Sequence, residues 1–315
     1  MLARFRLTTS TRGTPMITPE TNLPPSVNFH LWQPCNMRCH FCFAVFDDVV
    51  KDRLPKGHLA EAECITMTRI LAQHFSKVTF VGGEPTLCPW LDKLIEVAHE
   101  EGATTMLVTN GSRLNRGWLE SVKGRLDWVT LSIDSASPAT HLRLGRAVRG
   151  QHPLEPGHYL EVAGMLRESR IRFKVNTVVT ALNADEDMAP FIRQLRPERW
   201  KIFQVLPVDG QNDGKVEPLL LSDVRFQAFV ERHRMVEGDG IVLVPEDNED
   251  MTGSYAMVDP AGRFFDNTQG RYRYSRPILE VGPNEAWSDV RFELGRFLSR
   301  GGDYEWATPR AARAP

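Results

Sequence analysis

Cys35, Cys39 and Cys42 stand within the eight residues CNMRCHFC. The chain has five cysteines, an odd number in 315 residues, and three are clustered. That disfavours a secreted disulfide framework against a metal site, or reactive thiols, in a reducing cytoplasm. Structural zinc takes four protein ligands, commonly as paired Cys or His groups, and His30 and His40 are close enough in sequence to supply a fourth. The spacing, however, is C-x-x-x-C-x-x-C rather than two separated C-x-x-C knuckles. Three close thiolates suit a cubane 4Fe–4S cluster whose fourth iron is left open to bind a substrate or cofactor. The cluster is the favoured reading and zinc the alternative.

A second set of residues carries charge. In a strand, residues two apart point to one face, so Lys174 and Asn176 in FKVNTVV share a face, and so do Arg199 and Lys201 in ERWKIFQVL. If the two strands are neighbours, three cations and an amide converge, and Lys77, opening KVTFVGG, adds a fourth cation. Inward-facing cations are costly unless they meet an anion, and a polyphosphate is one. Solvated charge at strand edges is the alternative for any single residue.

The elements that must position these groups recur along the chain. Strands are expected at 27–32, 77–83, 104–111, 128–135, 173–179 and 200–208. Helices are expected at 60–74, 90–101, 115–122 and 158–169. Strand, loop and amphipathic helix in repetition are the signature of parallel β/α units. Six such strands predict an α/β fold, a partial (β/α)6 barrel whose function sits where strands end and loops begin. The pattern fades after about residue 210. A helix over 219–234 with Ser222 as N-cap, a hairpin over 254–265 turning at Asp259-Pro260-Ala261-Gly262, and a final helix over 285–299 are expected beyond it. The reading is a flexible arm at 1–25, the barrel at 26–210, a C-terminal extension at 211–315 closing over the site, and a frayed tail after Trp306.

CNMRCHFC resembles the cluster loop of the radical S-adenosylmethionine (SAM) enzymes, a C-x-x-x-C-x-φ-C pattern with Phe41 as the aromatic φ. The resemblance implies that Cys35, Cys39 and Cys42 hold a 4Fe–4S cluster and that SAM chelates the open iron. One electron from the cluster would then cleave SAM to a 5′-deoxyadenosyl radical. Gly82-Gly83-Glu84-Pro85 matches the family's GGEP motif, which hydrogen-bonds the methionine amino group. Glycine suits a close backbone approach to the ligand, and Glu84 offers a carboxylate to an ammonium. Thr109-Asn110-Gly111 and Ser132-Ile133-Asp134-Ser135 end the next two strands, where polar side chains would face the cofactor. Arg146, in LRLGR, is a candidate for the SAM carboxylate, with surface arginine as the alternative. Cys64 reads as ordinary packing, and Cys88 offers no second cluster.

A closer resemblance covers about Ser26 to Trp306. SVNFHLWQPCNMRCHFCF, FKVNTVVTALNADEDM, ERWKIFQVLPVDGQN, LVPEDNEDMTGSY and FLSRGGDYEW resemble segments of the viperin family, including its prokaryotic viperin-like members. That family converts CTP, or in prokaryotes CTP, UTP or GTP, to the 3′-deoxy-3′,4′-didehydro nucleotide, an antiviral chain terminator. The resemblance implies removal of the ribose 4′ hydrogen and loss of the 3′ hydroxyl as water. It implies Lys77, Lys174, Asn176, Arg199 and Lys201 at the triphosphate, Asn28 close to the nucleotide, and Tyr255 as a relay for the final electron or proton. The segment 267–273 is expected to close over the nucleotide, and a flavodoxin- or ferredoxin-type protein to be the reductant. Val81 stands where animal members have serine before GGEP, and Pro34 where a polar residue is usual. These departures bear on base preference.

Composition bounds the alternatives. Hydrophobic residues are 42%, charged residues 25% and the net charge −2, so no global field draws the chain to nucleic acid or an anionic membrane. No apolar run approaches the roughly 20 residues of a membrane span. The expected location is the cytoplasm. A radical SAM enzyme acting on a peptide is disfavoured, because such enzymes often carry a cysteine-rich C-terminal region and no cysteine follows Cys88. A non-catalytic iron–sulfur or zinc protein is the remaining alternative.

Overall fold

The computed structural model describes residues 23–307; the expected arm at 1–25 lies almost wholly outside the described residues, as does the tail from 308 onward. Seven strands run parallel in chain order: β1 (Ser26–Trp32), β2 (Lys77–Gly82), β3 (Thr104–Thr109), β4 (Trp128–Ser132), β5 (Arg172–Val179), β6 (Arg199–Gln204) and β7 (Val242–Glu246). Beyond β1 the sheet continues through β8 (Met257–Val258), parallel to β1, and then antiparallel through β9 (Arg263–Asp266) and β10 (Arg273–Pro277). The six expected strands are β1 to β6, and the chain beyond residue 210 extends the same sheet at both edges.

Period-2 alternation divides the sheet into two unlike faces. Phe29, Phe80, Leu107, Leu131, Val175 and Trp200 are fully buried on the outer face. Helices cover that face, among them Glu61–His74, Leu91–Glu100, Arg116–Val122 and Pro156–Glu168, close to the expected spans. The alternate positions are largely polar: Asn28 on β1, Lys77 and Thr79 on β2, Thr130 and Ser132 on β4, Lys174 and Asn176 on β5, Arg199 and Lys201 on β6, and Glu246 on β7. Apolar outside and polar inside is the inverse of a packed sandwich, and it leaves an interior suited to a polar ligand.

Strand β7 was not anticipated. Its Pro245 argues against a central strand, but β7 pairs only with β6, so the missing N–H costs no ladder bond. The short helices Pro138–Arg143 and Ala189–Leu195 also escaped the pattern, each being under two full turns. Ser222 caps Asp223–His233 as expected, accepting from Arg225 N at 3.4 Å. The expected hairpin is β8–β9, turning through Asp259, whose side chain accepts from Ala261 N and Arg263 N. The expected last helix is two, Pro283–Trp287 and Leu294–Ser299. Between them Arg291 N donates to Asp266 and Glu293 N to the Gly253 carbonyl, so tertiary acceptors replace the helical ones.

Candidate active site

The cysteine loop leaves the C-terminal end of β1 and is clamped by backbone on two sides. Gly83 N donates to the Trp32 carbonyl at 2.5 Å and Glu84 N to the Pro34 carbonyl at 3.0 Å. Across the loop, Arg38 N reaches the Gly145 carbonyl at 3.1 Å and His40 N the Leu144 carbonyl at 2.9 Å. The two glycines of GGEP serve this clamp. A Cβ on Gly83 would stand 2.1 Å from the Gln33 carbonyl oxygen, and one on Gly82 2.4 Å from that of Trp32. What a Cβ at these glycines would meet in this structure is the backbone leading into the cysteines. Pro85 follows, buried, at the first position of a short 3₁₀ turn whose cap is Glu84.

The Glu84 carboxylate is fully buried at the ends of β2 and β3. One oxygen accepts from Thr86 Oγ1 at 2.6 Å and Thr109 Oγ1 at 2.7 Å, and the other from Asn110 N at 2.8 Å. Thr109 and Asn110 are therefore joined to Glu84, and Asn110 reaches on to Asn36 of the cysteine loop at 2.8 Å. The second Glu84 oxygen retains acceptor capacity for an ammonium.

Arg146 is buried, which removes the surface alternative. Its guanidinium lies 2.9 Å from Asp134, donates to the Ser132 carbonyl at 2.6 Å and approaches Cys39 Sγ at 3.4 Å. Asp134 in turn accepts from Val178 N at 2.8 Å. The structure thus joins Ser132, Asp134 and Arg146 to a cysteine sulfur, a connection the sequence did not signal.

Burial pushes the Cys35 thiol up to about 11 and the Cys42 thiol up to about 12, and raises Cys39 as well. The protein alone does not ionise these thiols; a bound metal's charge would. Among the described residues, no three His, Cys, Asp or Glu side chains converge on a point that one ion could occupy. Zinc, with sulfurs about 2.3 Å from one centre, needs such convergence. A cubane takes one cysteine on each of three irons, and three thiols on one clamped loop suit that demand. Cys64 and Cys88 are buried in the main core, as packing residues.

Toward the opposite end of the strands lies the cationic set. Register places Lys174 beside Arg199 and Asn176 beside Lys201, as the same-face argument requires, with Asn176 also beside Ser132. Lys77 starts β2, five residues from Gly82, or roughly 16 Å along the strand. Burial pushes Lys77 down to about 8 and Lys174 down to about 7, with neighbouring cations adding to the shift. The Lys201 ammonium is also lowered by burial, and Glu246 opposes that shift. Asn28 is half-buried on the interior face of β1, in register with Thr79 and Met257. The Asn176 side-chain oxygen and Arg199 Nε are buried without a partner.

Three further residues complete this end. Tyr304 lies under the Lys77 ammonium (4.7 Å to the ring centroid) and the Arg199 guanidinium (4.0 Å), and its hydroxyl is 3.3 Å from Lys174 Nζ. Trp306 also faces Lys77, at 4.0 Å, and its carbonyl accepts from Trp128 Nε1 at 2.9 Å. Arg300 covers the Tyr255 ring at 3.7 Å. FLSRGGDYEW contains all three, but no periodicity marks them as interior. Tyr255 is not mere hairpin packing: its hydroxyl meets the Glu246 carboxylate and, at 2.9 Å, Lys201 Nζ. Segment 267–273 packs on the cysteine loop, where Tyr272 OH donates to the Phe43 carbonyl at 2.7 Å.

The Radical SAM superfamily model matches residues 32–195, from the cysteine loop through the cofactor-facing strand ends. Two curated relatives are each 49% identical over 90% of this chain. They are the S-adenosylmethionine-dependent nucleotide dehydratases of Lacinutrix mariniflava and Flammeovirga pacifica. The chain belongs to the radical SAM superfamily, in the family of these dehydratases. It spans 59% of the length of the first relative and 97% of the second. In fold, this radical SAM chain is similar to Streptococcus suis SuiB bound to S-adenosylmethionine. The TM-score is 0.60 at 15% identity, over 76% of this chain and 59% of that one. The superfamily's cofactors are a 4Fe–4S cluster and SAM, and the clamped thiols, the Glu84 carboxylate and Arg146 are chemically suited to them. Among the described residues no helix is long and apolar enough to cross a membrane.

Proposed function

We propose that this chain is a SAM-dependent dehydratase of a ribonucleoside triphosphate, CTP first with UTP and GTP as the other candidates, giving the 3′-deoxy-3′,4′-didehydro nucleotide. The observation that carries the substrate class is the inward set of Lys77, Lys174, Arg199 and Lys201, buried or half-buried and, among the described residues, with only Glu246 as a carboxylate in contact. A triphosphate supplies the missing negative charge.

Cys35, Cys39 and Cys42 would hold the cluster, which, with an electron from a flavodoxin- or ferredoxin-type protein, would supply the one-electron reduction of SAM that initiates hydrogen abstraction. The spare Glu84 acceptor takes the methionine ammonium, with Gly82, Gly83 and Pro85 fixing the turn and Thr109 and Asn110 orienting the carboxylate. Ser132, Asp134 and Arg146 form the facing wall. Lys77, Lys174, Asn176, Arg199 and Lys201 anchor the triphosphate, with Lys77 roughly a strand's length from the cofactor end and Asn176 beside Ser132, which leaves the ribose between Lys77 and the cofactor. Asn28 lies on the same interior face and contacts the nucleoside. Tyr255, whose hydroxyl burial holds well above its ordinary range, stays protonated and relays a proton to the departing 3′ hydroxyl.

The test is anaerobically reconstituted protein given SAM, dithionite and each triphosphate in turn. The expected result is 5′-deoxyadenosine release that depends on one triphosphate, with a product lighter than it by one water. Release with none of CTP, UTP and GTP overturns the reading.

A further inference from the structure

Glu246 ends β7 at one edge of the parallel array, and its carboxylate is fully buried. It contacts three groups: Lys201 Nζ on β6, the hydroxyl of Tyr255 just before β8, and Arg300 Nη1 at 3.2 Å from the C-terminal segment. Those groups come from β6 at one end of the parallel array, from the residues leading into β8 at its other end, and from the C-terminal segment. The open side of the barrel is therefore bridged here by side chains around one carboxylate. Arg300 is held on its other side by the Ser254 carbonyl at 2.7 Å.

Glu246 is an odd residue for a site built to take an anion. A carboxylate amid phosphate-binding cations repels the ligand. Two buried cations with no counter-charge, however, would destabilise the empty protein. We propose that Glu246 is an internal stand-in for a phosphate group: it neutralises Lys201 and Arg300 while the site is empty, and cedes them when the triphosphate arrives. This rests on the triphosphate reading above. After the exchange Glu246 keeps Tyr255, so substrate binding leaves the phenol with one acceptor instead of a share in a four-membered network. Glu246 is thus a positioning residue for Tyr255 and a brake on anion affinity.

A stand-in and a scaffold differ in sign. Removing a competing charge a few ångströms from the ligand strengthens anion binding, whereas removing a scaffold weakens it. In the cluster-loaded enzyme, Glu246→Gln should bind inorganic tripolyphosphate roughly tenfold more tightly by calorimetry. In turnover its KM should fall together with kcat, because the phenol has lost its carboxylate, and Glu246→Asp should restore the wild-type affinity. If Glu246→Gln does not fold, the double variant Glu246→Gln/Arg300→Gln removes the pair together, a change that buried pairs tolerate. Its affinity should lie within about threefold of wild type, gain and loss offsetting. Weaker tripolyphosphate binding by Glu246→Gln, or a drop beyond tenfold in the double variant, overturns the stand-in. Lys174→Ala separates the two levels. If it loses tripolyphosphate affinity while Glu246→Gln gains none, the substrate reading stands and the stand-in falls. If Lys174→Ala is unchanged, the triphosphate reading falls and the stand-in with it.

Discussion

Triphosphate binding should draw protons onto the enzyme, by an amount the site's geometry sets. Lys77 and Lys174 are buried, and neither has a carboxylate in contact; burial and neighbouring cations bring them to about 8 and about 7. At pH 8 Lys77 is then about half protonated and Lys174 about one-tenth. A bound tetra-anion favours the ammonium form of both, returning them toward the ordinary lysine range. Binding at pH 8 should therefore take up about half a proton at Lys77 and about nine-tenths at Lys174. At pH 6 both are already protonated and their uptake falls to roughly a tenth of a proton, with Lys201, also lowered to about 7, adding a similar amount at either pH to that of Lys174. The lysines lie in one cationic set, so the uptake belongs to the set. Calorimetry of the triphosphate in two buffers of different ionisation enthalpy reads it directly. Lys174→Met should cut the uptake at pH 8 by at least about nine-tenths of a proton, because Lys77 also loses a cationic neighbour that lowers it. Binding that exchanges no protons at pH 8, or releases them, would refute a cationic interior held near neutrality by burial. The same shift makes the empty protein gain stability as pH rises from about 7 toward the ordinary lysine range, because across that window the unfolded chain binds more protons.

Gly83→Ala should cost about 1–3 kcal/mol in a urea melt and lower the iron bound per chain, since its Cβ meets the Gln33 and Pro34 carbonyls ahead of Cys35. Arg146→Gln should make the cluster harder to reduce in a SAM-free redox titration, because a cation within 3.4 Å of Cys39 Sγ is lost; Arg146→Lys should do so less. With Asp134 left as an unpaired buried carboxylate, Arg146→Gln should also lose about 3–5 kcal/mol of stability. Tyr304→Ala should weaken triphosphate binding about tenfold by uncovering Lys77, Lys174 and Arg199, while Tyr304→Phe, which keeps the ring, should change it less than threefold. Calorimetric affinities for both variants check this.

The amino-acid order by itself determined the chemistry of the cofactor end and the repeating frame. Cysteine spacing and GGEP are local in the chain, and strand alternation is a period that any short window reveals. The pairing of Lys174 with Arg199 and of Asn176 with Lys201 was legible for the same reason: each pair of positions lies two apart on one strand, and consecutive strands of β/α units become neighbours. The tertiary structure alone decided what each charge meets. Glu246, Tyr255 and Arg300 come from three separate segments around the open edge of the barrel, and Tyr304 arrives 130 residues after the lysine it touches. No local pattern encodes such contacts, because they depend on how far the sheet curls before its edges approach. For the same reason the surface alternative for Arg146 stood until folding set it against Asp134 and a cysteine sulfur, and nothing local showed that the GGEP glycines also make way for the backbone of the loop from β1.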